Sequence, residues 1–372
     1  MIYKQVTTLF SLLSIFLVSN ISAFEMPEID LPDGFQINVF TDEVPNARSM
    51  TLGDEMIFVS TRSEGKIYAI TNYQDNPKVI VLASGLYMPN GIAFHENNLY
   101  VAEIHRVLKF ENIEESLNAL IQTNDFNTNT LSYSVISSYP KDRHHGWRYI
   151  VVGPDKKLYV PIGAPCNVCD EPDYGVITKI NLDGSEKETI ATGIRNTVGM
   201  TFHPQTNELW FTDNGRDMLG DDLPPGELNK VSFKGEHFGF PFCHGSNIAD
   251  PQYGSLGSCN DITAPVQELD AHVAPLGLKF YTGTMFPKDY HNQIFIPEHG
   301  SWNRSEKSGY RVTLVKLDQD QAISYETFAS GWLKDEESLG RPTDLLVLPD
   351  GSMLISDDQN GVIYKITYNQ DN

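Results

Sequence analysis

One pattern recurs along the 372-residue chain and limits what it can fold into more than any other feature. An apolar stretch meets a polar turn, a strand of alternating aromatic and β-branched residues follows, and a further strand comes after a loop. The copies lie at residues 50–60 with 66–70, 89–103 with 106–110, 149–161 with 176–180, 198–213 with 227–231, 276–280 with 293–297 and 310–315, and 344–357 with 362–366. Turn residues such as Pro349-Asp350-Gly351 and Gly153-Pro154-Asp155 suit hairpins, and helical periodicity is confined to 112–122. The chain is therefore expected to be all-β. About six sheet units closed into a ring make a six-bladed β-propeller, because radial repetition protects the sheet edges. The strand 35–40 (FQINVF) is expected to complete the last unit, next to the C-terminal strands. Long insertions at 111–147, 217–226 and 238–274 are where a rigid scaffold is expected to carry binding chemistry. No linker divides the ring, so residues 24–372 are expected to form a single domain.

With 40% hydrophobic residues the chain can bury a large core, and its 27 basic against 49 acidic residues leave a net charge of −22. A field of that sign repels phosphate backbones and anionic lipid, so neither nucleic acid nor a membrane surface is an expected partner. At the N-terminus, Lys4 precedes an apolar run over 9–18, and Ile21-Ser22-Ala23 gives a small-residue ending. This reads as a signal peptide, residues 1–23, cleaved after Ala23; the run is short against the ~20 residues that span a bilayer. The mature chain is then periplasmic or secreted, with no membrane span. Such a location permits disulfides among Cys166, Cys169, Cys243 and Cys259. Of the three connectivities, the local one (Cys166 with Cys169, Cys243 with Cys259) is the simplest. Cys166 and Cys169 also have the spacing of a redox centre or a haem attachment. Asp170 stands where haem attachment needs a histidine, and no thioredoxin-like pattern surrounds the pair.

Chemistry-bearing side chains gather in loops beside the repeat strands. His144 and His145 precede a strand, where a histidine suits general base catalysis, although a surface turn explains them as simply. Metal binding by the pair is a weaker reading, since neighbouring side chains at a strand entrance tend to diverge. Arg195 and Asn196 offer a fixed cation and an amide at another strand entrance. The loop 213–222 packs carboxylates and carbonyls at a density that suits calcium, without EF-hand spacing. His272, the run 298–304 and the run 340–344 occupy equivalent loops in the later copies, as a central site at one end of the ring requires.

Taken together, these motifs resemble the pyrroloquinoline quinone (PQQ) dependent sugar dehydrogenases, and the sorbosone dehydrogenase-like branch most closely. The carrying residues are His145-Gly146, 153–163, Ala164-Pro-Cys-Asn-Val-Cys169, Arg195-Asn196, 214–225, Glu227-Leu-Asn229, His272-Val-Ala-Pro275, Glu298-His-Gly-Ser-Trp-Asn-Arg304 and Gly340-Arg-Pro-Thr-Asp344. The resemblance covers nearly all of the mature chain. It implies a six-bladed propeller with PQQ and Ca2+ at one end of the channel, oxidising a sugar or sugar aldehyde and passing electrons to an external acceptor, a quinone or a cytochrome. It further implies that His145 is the base, with His144 beside it; a second register, through Arg148, assigns the base to His144. Arg195 would stabilise charge on the quinone oxygen, Asn196, His272 and Arg341 would contact the cofactor, and the carbonyls of Gly215 and Arg216 would hold the calcium. Thr343 replaces an arginine of the soluble glucose enzymes, and Arg304 stands in for their cofactor lysine. Two other classes of function compete: a calcium-dependent lactonase, suggested by Pro89-Asn90-Gly91 with the acidic loop, and a non-catalytic binding propeller, suggested by Leu209-Trp-Phe-Thr-Asp213.

Overall fold

The protein, described here from a computed structural model, is resolved into residues 24–123 and 131–369; the expected signal peptide lies outside the described residues. Six principal sheets follow one another along the chain as the blades of a propeller, each an antiparallel meander of four strands in its main part. The repeat fixes this directly. The second strand of a blade, such as Ile57–Thr61, Leu209–Asp213, Ile294–Glu298 or Met353–Asp357, is buried at every position. A strand buried on both faces needs apolar residues in both registers, which is why these segments read as near-continuous hydrophobic runs.

The core lies between neighbouring blades. Phe58, Ile67 and Ala69 of the first blade pack on Ile92, Leu99 and Val101 of the second, and Trp210 and Leu228 of the fourth pack on Leu278, Ile294 and Ile296 of the fifth. The ring is closed as expected from 35–40: strand Phe35–Thr41 pairs antiparallel with Val362–Tyr368, so the last blade takes strands from both ends of the chain. The Phe35 ring sits among Phe286, Tyr368, Phe328 and Tyr290, with centroids 4.8, 4.9, 5.0 and 5.1 Å away. Two backbone hydrogen bonds exchanged between Asp30 and Ser330 (2.7 and 3.1 Å) tie the N-terminal segment to the fifth blade as well.

A carboxylate at the end of the second strand recurs as a device that anchors the loop entering the same blade. In the second blade Glu103 accepts the backbone N–H of Tyr87 (2.5 Å). In the fourth, Asp213 accepts those of Arg195 and Asn196 at 2.8 and 2.6 Å. In the sixth, Asp357 accepts that of Arg341 at 3.0 Å. Buried N–H groups need such partners, and the anionic acceptor strengthens each bond.

The insertions serve different ends. The segment 111–147 is split: helix Ile113–Thr123 lies at the end of the blade away from the loop 143–147, where Asn97 accepts the N–H of Glu114 and Glu114 accepts those of Glu55 and Met56. Strand Ser134–Ser138 then completes the second blade. That insertion therefore builds structure as much as a site, because its helix caps the outer ends of two blades. In the segment 238–274, the bridge Cys243–Cys259 encloses a short hairpin, and Gln267–Ala271 becomes the outer strand of the fourth blade. Both disulfides are the local ones.

Replacing Phe35 by alanine removes an aromatic plug that joins both chain ends to the fifth blade. It should cost about 3 kcal/mol, read as a lower urea midpoint at unchanged slope; an unchanged midpoint would show that closure does not depend on this ring.

Candidate functional site

All six blades contribute to one cavity of about 570 Å³ at the end of the ring where the anchored loops lie. Its lining includes five arginines, Arg48, Arg62, Arg143, Arg195 and Arg341, against one carboxylate, Asp217. In a chain of net charge −22, that local reversal of sign is the site's main electrostatic property.

His145 stands on the cavity wall, 8% exposed. Its backbone is left-handed (φ 47°), a conformation that costs energy outside glycine and collects at functional sites. Gly163 makes room beneath it, since a Cβ there would lie 2.7 Å from the His145 Cβ. The ring Nδ1 is 2.8 Å from the Ala164 carbonyl oxygen. A carbonyl only accepts, so Nδ1 carries the proton and Nε2 keeps its lone pair. Burial, then the Arg195 charge, then His144 hold the imidazole well below its usual 6.5, leaving it neutral. His144 is lowered too, by burial first and Arg195 second. The two rings lie 4.1 Å apart between centroids, so they do not diverge as a strand entrance would make them: residues 143–146 form a turn, and the left-handed backbone of His145 brings both rings to the cavity.

Arg195 is 4% exposed and held on several sides. Its Nε donates to the Asn167 carbonyl (2.8 Å), Nη1 to the Asn214 carbonyl (3.0 Å), and Nη2 to Asn167 Oδ1 and Asp217 Oδ2 (2.9 Å each). Four of its five N–H groups are thus fixed, and one Nη1 proton remains. Below it, burial raises the Asp213 carboxyl, and burial together with the neighbouring Asp213 charge raises that of Glu227.

Across the cavity, Arg48 donates to Asp358 Oδ2 (2.9 Å) and Asn90 Oδ1 (3.0 Å), and His299 Nε2 approaches Asp358 Oδ1 (2.7 Å). Burial dominates at His299 and lowers it to about 4 despite Asp358. Arg341 donates to the carbonyls of His299 (3.0 Å) and Gly300 (2.9 Å) and lies over the Tyr310 ring. Arg62 lies 4.8 Å over the Trp147 ring, and its buried Nε has no hydrogen-bond partner. Burial and the charges of Arg48 and Arg341 lower its pKa. Among the described residues, neither Arg62 nor Arg341 has a carboxylate within ion-pair distance, the state of cations arranged for an anion supplied from outside. Trp302 lines the mouth at 70% exposure.

Of the residues singled out in the sequence, His144, His145, Arg195, Asn196, Gly215, His272 and Arg341 line this cavity. His272, left-handed at φ 64°, places Nε2 2.8 Å from the Gly220 carbonyl. Arg216 and Arg304 are not among the lining side chains. The Arg216 guanidinium turns to Asp250 (2.5 Å), whose same oxygen meets His244 Nε2 at 2.8 Å. Arg304 ties the acidic loop, through the Asp221 carbonyl and Asp222 Oδ1 (3.0 Å). The carboxylates of that loop do not converge: Asp217 meets Arg195, Asp221 accepts the Ser305 N–H and Asp222 meets Arg304. Among the described residues no group of three or more His, Cys, Asp or Glu side chains is placed to hold a metal. Thr343 is buried and donates to the Arg341 carbonyl (3.2 Å).

His299, in the run 298–304 expected at the central site, lines the cavity; sequence reasoning missed Arg48, Arg62 and the role of Asn167. Arg48 and Asp358 are 310 residues apart and meet only because the ring closes. Asn167 lay inside a motif whose cysteines alone were given a role.

Comparison with known proteins agrees with this geometry. The TrAA12-like family model matches residues 178–369, just over half of the chain. An uncharacterised protein of Borreliella burgdorferi is 38% identical over 98% of this chain and 97% of its own length. Quinoprotein glucose dehydrogenase B of Acinetobacter calcoaceticus is 24% identical over 66% of this chain and 59% of its own. Among solved structures, a calcium structure of Trichoderma reesei carbohydrate-active enzyme family AA12 superimposes with a TM-score of 0.79 at 18% identity, covering 94% of this chain and all of that one. The holo PQQ domain of pyranose dehydrogenase from Coprinopsis cinerea superimposes with a TM-score of 0.75 at 15% identity, covering 92% and 98%. The chain is a six-bladed propeller that belongs to the TrAA12-like family, and it is similar to PQQ-dependent sugar dehydrogenases.

Proposed function

We propose that the protein is a PQQ- and calcium-dependent dehydrogenase of a sugar or sugar aldehyde that passes its electrons to an external quinone or cytochrome. The observation that carries this reading is that uncompensated cations, Arg62 and Arg341, face the same cavity as a neutral, tautomer-fixed imidazole, His145. A quinone bearing several carboxylates fits that cavity: Arg62 Nε is a buried donor with no protein partner, which a carboxylate would satisfy. Arg62, Arg341, Arg195 and Asn196 would hold it, with His144 and His272 beside it, and Arg304 would act through the loop it ties. The backbone carbonyls of Gly215 and Arg216 would hold the calcium, a hard cation that takes neutral oxygen donors. When bound, the quinone supplies the hydride acceptor.

The chain supplies the remaining chemistry. His145 Nε2 takes the proton of the substrate hydroxyl, and the Ala164 carbonyl keeps the ring in the tautomer that can do so. The imidazolium formed is then stabilised in part by donation to that carbonyl. Arg195, fixed by four hydrogen bonds, keeps a single N–H for charge developing beside it, with no reorganisation at the moment of reaction. The exposed Trp302 indole offers an apolar face to a sugar ring at the mouth. The lactonase alternative gains little here, since Asn90 is fully buried against Arg48 and is not among the residues lining the cavity. Two disulfides suit an exported protein; we place it in the periplasm or outside the cell, as one propeller domain of residues 24–372 behind a signal peptide of residues 1–23. Among the described residues no helix is long and apolar enough to cross a membrane.

Calorimetric titration of the calcium-loaded protein with PQQ should give saturable binding. Arg62→Ala and Arg341→Ala should each weaken it by about 10- to 100-fold, the worth of one charge-assisted contact; absence of binding heat would contradict the reading.

The pH dependence of sugar oxidation gives a separate test. Burial and the charge of Arg195 oppose protonation of His145, so the base form persists as pH falls through 6.5, its unperturbed value. kcat/KM should therefore stay level down to pH 6.5 and decline only below it, whereas an acid limb at or above 6.5 would show that a different group is the base.

A further inference from the structure

Asn167 is the residue next to the first cysteine of the Cys166–Cys169 bridge, in a stretch, residues 163–175, that contains neither strand nor helix. It nonetheless touches two residues of the cavity through four hydrogen bonds. Its carbonyl accepts from Arg195 Nε (2.8 Å), and its Oδ1 accepts from Arg195 Nη2 (2.9 Å) and from the Asp217 backbone N–H (2.9 Å). Its Nδ2 donates to the Asp217 carbonyl (3.1 Å). Half of the side-chain hydrogen bonds of Arg195 therefore end on one residue of an irregular loop, and the same residue seats the Asp217 segment whose carboxylate takes a further one.

An asparagine in such a loop holds a guanidinium only if its own backbone is fixed. No sheet ladder fixes it here. The bridge closes a four-residue loop around Asn167, so the main-chain carbonyl and the side-chain amide are presented to Arg195 together. We propose that Asn167, held by the Cys166–Cys169 bridge, is a positioning residue for Arg195: the bridge acts on the cavity through Asn167 and sets where the Arg195 cation stands. The disulfide is then part of the site's supporting structure and adds little to the stability of the ring, whose blades are closed elsewhere.

The test follows the Arg195 side chain itself. In 15N spectra the Arg195 Nη2–H signal, assigned by its loss in Arg195→Lys, should exchange slowly with water in the wild-type protein. Exchange should accelerate about tenfold or more, the equivalent of one lost charge-assisted hydrogen bond, in Asn167→Ala and in Cys166→Ser/Cys169→Ser. Asn167→Asp, which keeps an acceptor for Nη2, should restore most of the protection. The unfolding temperature of Asn167→Ala should stay close to wild type. Wild-type exchange in both variants, or acceleration in Asn167→Ala only alongside a general loss of stability, would overturn the proposal. A second arm, calorimetric affinity for PQQ with calcium, should weaken about tenfold in the same two variants, as loss of a supporting contact does at other ligand sites. That arm rests on the functional reading above. Accelerated exchange with no quinone binding by any form would uphold the positioning role and remove only that reading.

Discussion

Placing a cation at the mouth of a β-propeller requires that the loop carrying it be fixed by something other than its own sheet. The carboxylates that end the second strands meet this requirement. Asp213 takes the backbone N–H groups of Arg195 and Asn196, and Asp357 takes that of Arg341, together with those of Gln359 and Asn360. Both acids are buried, so their acceptor capacity is spent on these loops and not on water. The blade repeat thus builds the scaffold and also aims the loops at the axis.

The cavity inverts the charge of the protein around it. At long range the acidic surface disfavours anions, but salt screens surface charge beyond about 8–10 Å, while partly buried charges are screened much less. Inside the mouth the uncompensated Arg62 and Arg341 dominate. Arg48 and Arg195 differ from them: Asp358 and Asp217 already neutralise their charge, and their work is directional. One pair of arginines therefore attracts, and the other positions. His145 belongs with the second, since the geometry that keeps it neutral also keeps Nε2 available.

The fold was legible because a strand buried on both faces must be written in Val, Ile, Leu and aromatic residues, and six such strands at similar spacing allow few architectures. Closure by residues 35–40 was legible from alternation instead, since Phe35 and Ile37 alternate with the exposed Gln36 and Asn38, as in an outer strand with one face covered. The site was legible where a residue sat in a loop next to a repeat strand, as His145, Arg195 and Arg341 do. It was not legible where partners meet across the ring: Arg48 and Asp358 come from opposite ends of the chain, and Arg62 has meaning only beside them. Side-chain direction was also hidden. The density of acids in 213–222 suggested a ligand cluster, yet Arg195, Arg304 and Ser305 draw those carboxylates apart. The adjacent histidines were expected to diverge, and a left-handed backbone at one residue brought them together.

The central claim is that the arginine-lined cavity receives an anionic quinone beside a neutral base. A crystal structure of the protein grown with calcium and PQQ tests it most directly. The account predicts the quinone in the cavity, with carboxylates against Arg62 and Arg341 and its reactive face toward His145 Nε2. Density for the quinone elsewhere, or a cavity filled only by water with both guanidinium groups unmoved, would contradict it.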